Sequence, residues 1–387
     1  MVPSQEVEAR IRAFQERLAG AGFEGAVVVE QTDLYYLAGT TQSAHLVVPS
    51  EGEPALLVRR SRERARAESP LERIEPFGSL RDLPRALAEA GVAGGRLGLE
   101  LDVLPAAQYL GYARRLEGFE LADCSVLLRV QRSVKSAWEL DRIRVAAAQI
   151  ADVPEWVADV LREGMTEIEL SAEVDRRLRL AGHQGLVRFR GFNQEMSTSS
   201  IVAGPSAAVP GAADTPIVGP GPSPAVSKGA SPRPIERGEP IVVDLVGAWE
   251  GYLADQTRTF SLGPPAEGAE EPYRLAERIL REVAADARPG VPPSRLWERA
   301  VELAAGPYAE RFMGGASFVG HAIGLEIDEW PVLAPGFDEP LEPGVVFALE
   351  PKFLLPGRFA VGVENSYAVT PDGVEQLTQA REDLIVV

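Results

Sequence analysis

The sequence predicts two domains, a smaller α/β domain followed by a larger α+β domain. Its 387 residues exceed the length of one ordinary hydrophobic core. Strand-like and helix-like patterns alternate along the first third of the chain, which is typical of an α/β domain. The remainder contains two strand-turn-strand segments separated by helical patterns. We place the boundary near Gln131, so that the predicted domains span residues 1–130 and 131–387.

The elements of the first domain are predicted from apolar periodicity and short buried runs. Residues 5–22 carry an apolar stripe from Val7 to Leu18 along one face of a helix. His45 lies inside a strand pattern, so we expect a core histidine rather than a ligand. The sequence shows no glycine-rich phosphate motif here, and we interpret the domain as a scaffold or dimerisation domain. The other predicted elements are strands at residues 25–30, 44–48, 54–59 and 96–100, and helices near residues 80–90 and 103–115.

The second domain is predicted to begin with two helices whose first residues carry capping motifs. Ser136 is followed three residues later by Glu139, which is the pattern of a capping box. Thr166 and Glu169 repeat that pattern at the second helix. This helix is expected to end just before His183, whose imidazole would meet the free carbonyl groups of a helix terminus.

Residues 193–237 are rich in Gly, Pro, Ser and Ala and allow two interpretations. Composition alone is typical of a disordered linker. Apolar pairs such as Ile201-Val202 and Ile217-Val218, inside what should be one domain, favour an extended loop over a binding site. Two helical patterns follow further along, at residues 272–287 and at residues 293–313, the latter with Ser294 as a candidate cap.

Composition and charge argue against several classes of function. The net charge of −18 disfavours nucleic acid and anionic membrane surfaces as partners, because their phosphates would be repelled. The sequence has no apolar run near the roughly 20 residues of a membrane span, and its first residues lack the apolar region of a signal peptide. A single cysteine, Cys124, excludes an internal disulfide and fits a reducing compartment. We therefore expect a cytoplasmic protein.

Residues 241–260 are predicted to form a β-hairpin that carries two aspartates. A turn centred between Trp249 and Glu250 would place Asp244 directly opposite Asp255. Opposed side chains on one sheet face have Cβ atoms roughly 4.5 to 5.5 Å apart, and like charges in that arrangement repel. Two buried aspartates therefore require a cation or a shared proton.

A second predicted hairpin, near the C-terminus, carries two glutamates. With Gly357 at the centre of its turn, Glu350 lies opposite Glu364. His321, one of three histidines in the chain, occupies a glycine-flanked segment between the two hairpins. Because two carboxylate pairs carry about four negative charges, they would balance two divalent ions, with the imidazole as a further ligand.

Four motifs in the second domain resemble those of one group of metallopeptidases. The segments DLVGAWEGYLADQTRTF, GHAIGLEIDEWP, FALEPKF and VGVENSYAVT are similar, in this order, to the metal-binding motifs of the Xaa-Pro dipeptidase (prolidase) and aminopeptidase P group. The resemblance implies the pita-bread fold for residues 131–387, a creatinase-like N-terminal domain before it, and a homodimer. Oxygen-rich ligation with one imidazole suits Mn(II), Co(II), Fe(II) or Zn(II). The ligands that the resemblance implies are the five residues selected above, Asp244, Asp255, His321, Glu350 and Glu364.

The chain departs from the pattern of that group at three positions. Asp328 holds the place of a second histidine, Lys228 falls about where a histidine precedes the first ligand, and Gly362 replaces an arginine. In the resembled group these side chains assist substrate binding and transition-state stabilisation. Lys228 is either a donor to a substrate carbonyl or carboxylate, or a solvated loop lysine. Asp328 either positions a substrate amine or caps a turn.

The resemblance implies hydrolysis of Xaa-Pro bonds, in dipeptides or at peptide N-termini, by a water or hydroxide that bridges two ions. Glu350 is the candidate general base, Asp328 a further candidate catalytic residue and Lys228 the candidate substrate-binding residue. Thr257 either holds a ligand through a hydrogen bond or is an ordinary strand threonine. Two alternatives stay open: hydrolysis of another small amide or C–N bond on the same metals, and a metal-binding protein without catalysis.

Overall fold

Two structural units make up the computed structural model, which describes residues 1–211 and 215–387. The first unit spans Met1–Arg132 and the second spans Ser133–Val387. Each unit has its own sheets and helices, and the candidate site lies in the second.

A six-stranded sheet flanked by short helices forms the first unit. Its strands are β1 Gly25–Val28, β2 Ala44–Pro49, β3 Ala55–Val58, β4 Ile74–Pro76, β5 Gly95–Leu99 and β6 Phe119–Asp123. Its helices are α1 Ser4–Gly20, α2 Gln31–Ala38, α3 Arg62–Glu68, α4 Leu83–Glu89 and α5 Ala106–Ala113, and α6 Ser125–Ser133 follows. The strand order is β4-β3-β2-β1-β5-β6. Strands β1, β2 and β3 pair antiparallel, whereas the pairs β3-β4, β1-β5 and β5-β6 are parallel.

The predicted α/β character of this unit is confirmed. Helix α1 buries Val7, Ile11, Phe14 and Leu18 along the predicted face. All four residues of β1 and of β3 are buried, as expected of their apolar runs. The sequence patterns missed the short elements α2, α3, β4 and β6, because such elements carry too few residues to show a period.

His45 on β2 is a core residue, as predicted. Its Nε2 atom lies 2.8 Å from the Tyr112 hydroxyl, and its ring packs 4.4 Å from the ring of Phe77. Burial, with the nearby charge of Arg59, lowers the pKa of His45 to about 4. The imidazole is therefore neutral at neutral pH.

The second unit combines α-helices and β-strands. Its helices are α7 Ala137–Ile150, α8 Val153–Val160, α9 Glu167–Leu180, α10 Glu270–Asp286 and α11 Pro293–Ala304. Its strands are β7 Ser199–Ala203, β8 Pro240–Trp249, β9 Tyr252–Ser261, β10 Gly320–Ala322, β11 Glu329–Val332, β12 Val346–Leu349, β13 Lys352–Leu355, β14 Phe359–Gly362, β15 Asn365–Thr370, β16 Gly373–Gln376 and β17 Ile385–Val386.

The described strands of this unit form two sheets and a separate hairpin. One sheet has the order β17-β9-β8-β7, and the other has the order β11-β10-β12-β15-β16. Strands β13 and β14 form the hairpin. Helices α10 and α11 bury their apolar faces against β12, β13, β14 and β15 in one continuous core. This core fixes the strands from which the candidate site is built.

Both predicted capping boxes are present. Ser136 accepts from the amide of Glu139 and Thr166 from that of Glu169, and each glutamate bonds back to its cap. Helix α9 ends at Leu180, shortly before His183 as predicted, and the amide of His183 donates to the carbonyl oxygen of Leu178. The predicted contact of the imidazole with free helix carbonyls is wrong, because its Nε2 atom lies 3.0 Å from the carbonyl oxygen of Val246 on β8.

The predicted cap at Ser294 is wrong. The N-cap of α11 is Pro292, and the Ser294 hydroxyl instead donates to Asp338 at 2.6 Å. Helix α11 also ends at Ala304, earlier than the predicted residue 313, and short 3-10 turns follow. A serine one residue inside the helix cannot act as a cap, since the cap must precede the helical backbone.

Residues 193–211 contain strand β7 and residues 215–237 contain buried apolar side chains, which contradicts a disordered linker for these parts of the segment. Strand β7 pairs antiparallel with β8, and Ile201 and Val202 within it are fully buried. Ile217 and Val218 are also buried. Residues 212–214 of the predicted loop lie outside the described residues.

No helix within residues 1–211 and 215–387 combines the length and the apolar character needed to cross a bilayer.

Gly247 on β8 offers a test of how α7 packs on this sheet. A Cβ atom at this position would lie 2.0 Å from the backbone carbonyl oxygen of Ala146 in α7. We expect Gly247→Ala to lower the free energy of unfolding by about 1–3 kcal/mol, because α7 must shift to relieve the clash. Thermal unfolding monitored by circular dichroism measures the change. Gly373→Ala in the same unit is the control, since no atom lies within 4 Å of its added Cβ. Equal melting temperatures for the two variants would contradict this packing.

The lowered pKa of His45 predicts a loss of stability in acid. Between the ordinary value of 6.5 and the folded value of about 4, the unfolded chain binds a proton that the folded chain excludes. Stability is therefore unaffected above pH 6.5 and falls as the pH decreases from 6.5 towards 4. We expect His45→Gln to remove roughly 3 kcal/mol of that fall, at about 1.4 kcal/mol per pKa unit. Melting temperatures of wild type and variant between pH 7.5 and pH 4 provide the measurement, and parallel curves would refute the prediction.

Candidate metal centre

The β8–β9 hairpin carries the two aspartates, but with a register that differs from the prediction. Its turn residues, Glu250 and Gly251, have φ angles of 47° and 93°, as a two-residue hairpin turn of the primed type requires. The turn centre therefore lies one residue later than predicted. Asp244 pairs with Thr257 rather than with Asp255, so the predicted direct pairing of the two aspartates is wrong.

The two aspartates nevertheless share one face of the sheet. Because side chains alternate along a strand, a register change of two positions leaves Asp255 on the same face as Thr257 and Asp244. The aspartates are then diagonal neighbours, at about 7–8 Å instead of directly opposed. This spacing leaves room for a cation between them.

The two glutamates lie where two ladders meet. Leu349 of β12 pairs with Asn365 of β15, and Lys352 of β13 pairs with Gly362 of β14. Both pairs belong to one continuous register, in which the residue after Leu349 faces the residue before Asn365. These residues are Glu350 and Glu364, and the register agrees with the predicted pairing. Both side chains are buried.

His321 on β10 brings an imidazole to this group. It pairs with Ala348 of β12, so it lies beside the strand that leads to Glu350. Its Nδ1 atom is 3.2 Å from Asp328 Oδ1 and its Nε2 atom is 3.8 Å from Glu350 Oε1. Burial lowers the pKa of His321, but the charges of Asp328 and Glu350 outweigh burial and raise it above its ordinary value. The imidazole therefore presents Nε2 to the carboxylates.

Three of these side chains fit a metal ion. Ligand atoms of Asp255, His321 and Glu364 all lie within 4.8 Å of one another, and all three residues are buried. Carboxylate oxygens with one imidazole nitrogen are a donor set that divalent transition metals accept. Asp244 adds a buried Oδ1 atom without a hydrogen-bond partner among the described residues. An orphaned acceptor of this kind is the signature of a missing cation.

The sequence analysis did not identify Lys352, whose ammonium group lies at the site. The Nζ atom of Lys352 lies 2.7 Å from Glu350 Oε2, 2.9 Å from Glu364 Oε2 and 3.7 Å from Asp244 Oδ2. Lys352 is 1% exposed. Burial lowers its pKa, but the three carboxylates outweigh burial and raise the pKa well above its ordinary value. The available signal was alternation, because a strand residue two positions after Glu350 points to the same face.

Gly362 makes room for this lysine. It lies directly opposite Lys352 in the β13–β14 ladder. A Cβ atom at residue 362 would lie 2.4 Å from Lys352 Cγ and 2.9 Å from the carbonyl oxygen of Pro351. The glycine that stands where the resemblance implies an arginine is therefore what allows the lysine stem to pass.

The pKa values of the carboxyl groups show that one ammonium does not neutralise the cluster. Burial raises the pKa of Asp255 well above its ordinary value, and the charges of Glu364 and Asp244 add to it. Burial also raises the pKa of Glu350 to about 7, despite Lys352. Burial alone would raise the pKa of Glu364, yet Lys352 and His321 hold it below its ordinary value. The cluster therefore favours a further positive charge.

A set of hydrogen bonds behind the cluster holds its carboxylates in place. Thr257 donates from Oγ1 to Glu364 Oε2 at 2.6 Å, which supports the predicted ligand-holding role over that of an ordinary strand threonine. Ser366 accepts from the amide of Asp255 at 2.9 Å and donates to its carbonyl oxygen at 2.8 Å. The buried Arg258 donates to the carbonyl oxygens of Thr257 and Glu364.

The two remaining candidate residues lie in different surroundings. Asp328 lies with Oδ1 3.2 Å from His321 Nδ1, the arrangement of a residue that orients an imidazole. Lys228 donates to the carbonyl oxygen of Glu195 in the loop. Within residues 1–211 and 215–387 it forms no ion pair with the carboxylates of the cluster. The structure thus brings Asp328 to the site, whereas Lys228 is engaged elsewhere.

Comparison with known protein families provides independent information on this geometry. The family model described as "Metallopeptidase family M24" matches residues 141–371, and the one described as "Creatinase/Prolidase N-terminal domain" matches residues 10–134. The chain belongs to metallopeptidase family M24. The predicted family and fold class, a creatinase-like α/β domain followed by a pita-bread domain, are confirmed.

Relatives of this metallopeptidase cover nearly its whole length. The probable dipeptidase PepE of Mycobacterium tuberculosis is 30% identical over 382 residues, which cover 95% of this chain and 93% of the relative. The Xaa-Pro dipeptidase of Pyrococcus horikoshii is 25% identical over 380 residues, covering 97% and 98%. The crystal structure of dipeptidase PepE from Mycobacterium ulcerans superposes with a TM-score of 0.82 at 27% identity, covering 99% of this chain and 98% of that one. The family implies metal ions, and the buried Asp, His and Glu group provides a place for them.

The hydrogen bond from Thr257 to Glu364 can be tested through metal affinity. We expect Thr257→Val to weaken metal binding by about 10- to 100-fold, because the carboxylate loses the donor that orients it. Competition with a chromophoric chelator measures the affinity.

Thr259→Val is the matched control for this prediction. Thr259 is also fully buried on β9 and donates one hydrogen bond, but to the carbonyl oxygen of Gly362 at 2.8 Å. We expect it to leave metal affinity within about twofold, since no ligand loses its partner. Equal losses in both variants would refute a ligand-holding role for Thr257.

Proposed function

We propose that the protein is a metal-dependent dipeptidase that hydrolyses Xaa-Pro bonds. The observation that carries the proposal is the buried Asp255, His321 and Glu364 group beside Glu350. The names of the relatives, a probable dipeptidase and an Xaa-Pro dipeptidase, support the substrate class. Whether the preferred substrate is a dipeptide or the N-terminus of a longer peptide is decided by the experiment below.

The residues around the group divide the work of hydrolysis. When bound, a divalent ion lowers the pKa of a coordinated water and polarises the scissile carbonyl. Asp255, His321 and Glu364 would hold the ion, and Asp328 fixes the imidazole of His321 through Nδ1. Glu350 is the general base of the proposal, because its carboxylate lies beside the group that would hold the ion, with Oε1 3.8 Å from His321 Nε2.

Further parts of the proposal concern the metal and the substrate. Mn(II), Co(II), Fe(II) and Zn(II) all suit this donor set. Lys228 would bind a substrate carboxylate only after releasing the carbonyl oxygen of Glu195. We also propose a cytoplasmic homodimer, as the resemblance and the single cysteine suggest.

A second candidate function is hydrolysis of another small amide or C–N bond at the same site. The departures at Lys228, Asp328 and Gly362 favour it, because the resemblance places substrate-binding groups at those positions. The two candidates share the metal requirement and differ only in the substrate that is turned over.

Release of the N-terminal amino acid, Xaa, from a panel of peptides tests the proposed function. The panel contains Xaa-Pro dipeptides, Xaa-Xaa dipeptides and Xaa-Pro-Yaa tripeptides, and the protein is loaded with Mn(II), Co(II), Fe(II) or Zn(II) or stripped by a chelator. We expect metal-dependent release from Xaa-Pro dipeptides, and a loss of roughly a hundredfold or more in kcat for Glu350→Gln. Glu342→Gln, an exposed glutamate, is the control and should keep the wild-type rate. No release from any peptide by metal-loaded protein would reject the peptidase and leave the second candidate.

A further inference from the structure

Lys352 occupies a position in the cluster that the carboxylates would otherwise offer to a metal ion. From its place on β13 its ammonium contacts Glu350, Glu364 and Asp244 at 2.7, 2.9 and 3.7 Å. We infer that Lys352 replaces one of two metal ions, so that this chain holds a single divalent ion at the Asp255, His321 and Glu364 group. The inference deepens the proposed function and rests on it only in taking the site to be a metal centre.

The ammonium takes the oxygen atoms that a second ion would need. Glu364 Oε2 accepts from Thr257 Oγ1 at 2.6 Å and from Lys352 Nζ at 2.9 Å, which uses both of its lone pairs. Glu350 Oε2 accepts from the same Nζ atom at 2.7 Å. Of the two glutamates, the Oε1 atoms and one lone pair of Glu350 Oε2 stay available to an ion.

The lysine cannot readily leave this position. Its side chain is 2% exposed, and its stem fills the space that Gly362 leaves free. Moving the ammonium aside would bury it away from the three carboxylates that now pair with it. A buried charge without partners is strongly unfavourable, so the ammonium is a fixed part of the site.

The net charge of the cluster also supports one divalent ion rather than two. The carboxylates of Asp244, Asp255, Glu350 and Glu364 carry four negative charges, of which the Lys352 ammonium compensates one. One divalent ion then leaves the cluster with a single negative charge, whereas a second ion would leave it positive. That second ion would also share the oxygens of Glu350 and Glu364 with the ammonium, where the two cations repel.

The groups that stay available suffice for one ion. Atoms of Asp255, His321 and Glu364 lie within 4.8 Å of one another, with Glu350 Oε1 3.8 Å from His321 Nε2. The unpartnered Oδ1 atom of Asp244 is a single donor, fewer than the three or four protein ligands that an ion of this class takes. Lys352 is thus a positioning residue that orients two glutamates in place of an ion.

Metal stoichiometry tests the inference without reference to activity. Purified protein is saturated with Mn(II), freed of excess ion by gel filtration, and analysed for manganese per chain by mass spectrometry. We expect one ion in wild type, one in Lys352→Arg, which keeps the cation, and two in Lys352→Ala, which frees the glutamate oxygens. Electron paramagnetic resonance should show isolated Mn(II) in wild type and exchange-coupled Mn(II) in Lys352→Ala.

Each outcome supports or overturns the inference. Two ions in wild type would overturn it, as would one ion in both wild type and a folded Lys352→Ala. If Lys352→Ala does not fold, Lys352→Gln replaces it, and the wild-type count alone still decides against the inference when it is two. No ion in any variant would overturn the inference together with the proposed function, whereas one ion without hydrolysis of any peptide in the panel would reject the peptidase alone.

Discussion

The clustering of four carboxylates, three of them buried and the fourth, Asp244, 17% exposed, is the constraint on which the second unit depends. Taking several like charges out of water is strongly unfavourable unless cations and hydrogen bonds compensate them. Asp244 and Asp255 come from one hairpin, and Glu350 and Glu364 come from the junctions of two other ladders. The strands that carry these residues can therefore pack together only where a positive charge is present. The Lys352 ammonium supplies part of the compensating positive charge, and the raised pKa values of Asp255 and Glu350 show that further compensation is required.

Hydrogen bonds from polar groups around the carboxylates hold this arrangement in place. The fully buried Arg258 donates to the carbonyl oxygens of Thr257 and Glu364, and to those of Ala380 and Arg381 near the C-terminus. One side chain therefore ties β9, the start of β15 and the last segment of the chain together. On the other side of the site, Glu329 accepts from the amides of Leu325 and Glu326 and pairs with Lys135 at 3.0 Å. These bonds shape the turn that follows His321, and they explain why a glycine stands at residue 324, where a Cβ atom would lie 2.6 Å from the Glu329 carboxylate.

The features that could be predicted are those that depend on residues close together in the sequence. The two capping boxes were visible because both partners lie three residues apart, and the aspartates and glutamates were visible because they interrupt apolar strands. The register of the aspartate hairpin failed by two positions, because the turn centre depends on which residues accept positive φ, and Glu250 does so here beside Gly251. Alternation places Lys352 on the same strand face as Glu350, but its contact with Asp244, 108 positions away in sequence, cannot be predicted from a local pattern. Arg258 was missed for the same reason, since an arginine in a strand is read as exposed unless its partners are known.

Gly362 and Lys352 are explained by their contact with each other rather than separately. The sequence alone shows Gly362 where the resemblance implies an arginine, and it assigns no role to Lys352. The ladder places the two directly opposite each other, and the geometry makes them mutually dependent: any side chain at residue 362 would meet the lysine stem at 2.4 Å. Gly362 thus allows a lysine on the neighbouring strand to place its ammonium group among the carboxylates. Because an ammonium carries half the charge of a divalent ion and cannot coordinate a water, the proposed replacement of one ion by Lys352 would change what the centre does to a substrate while it preserves the electrostatic balance that the fold needs.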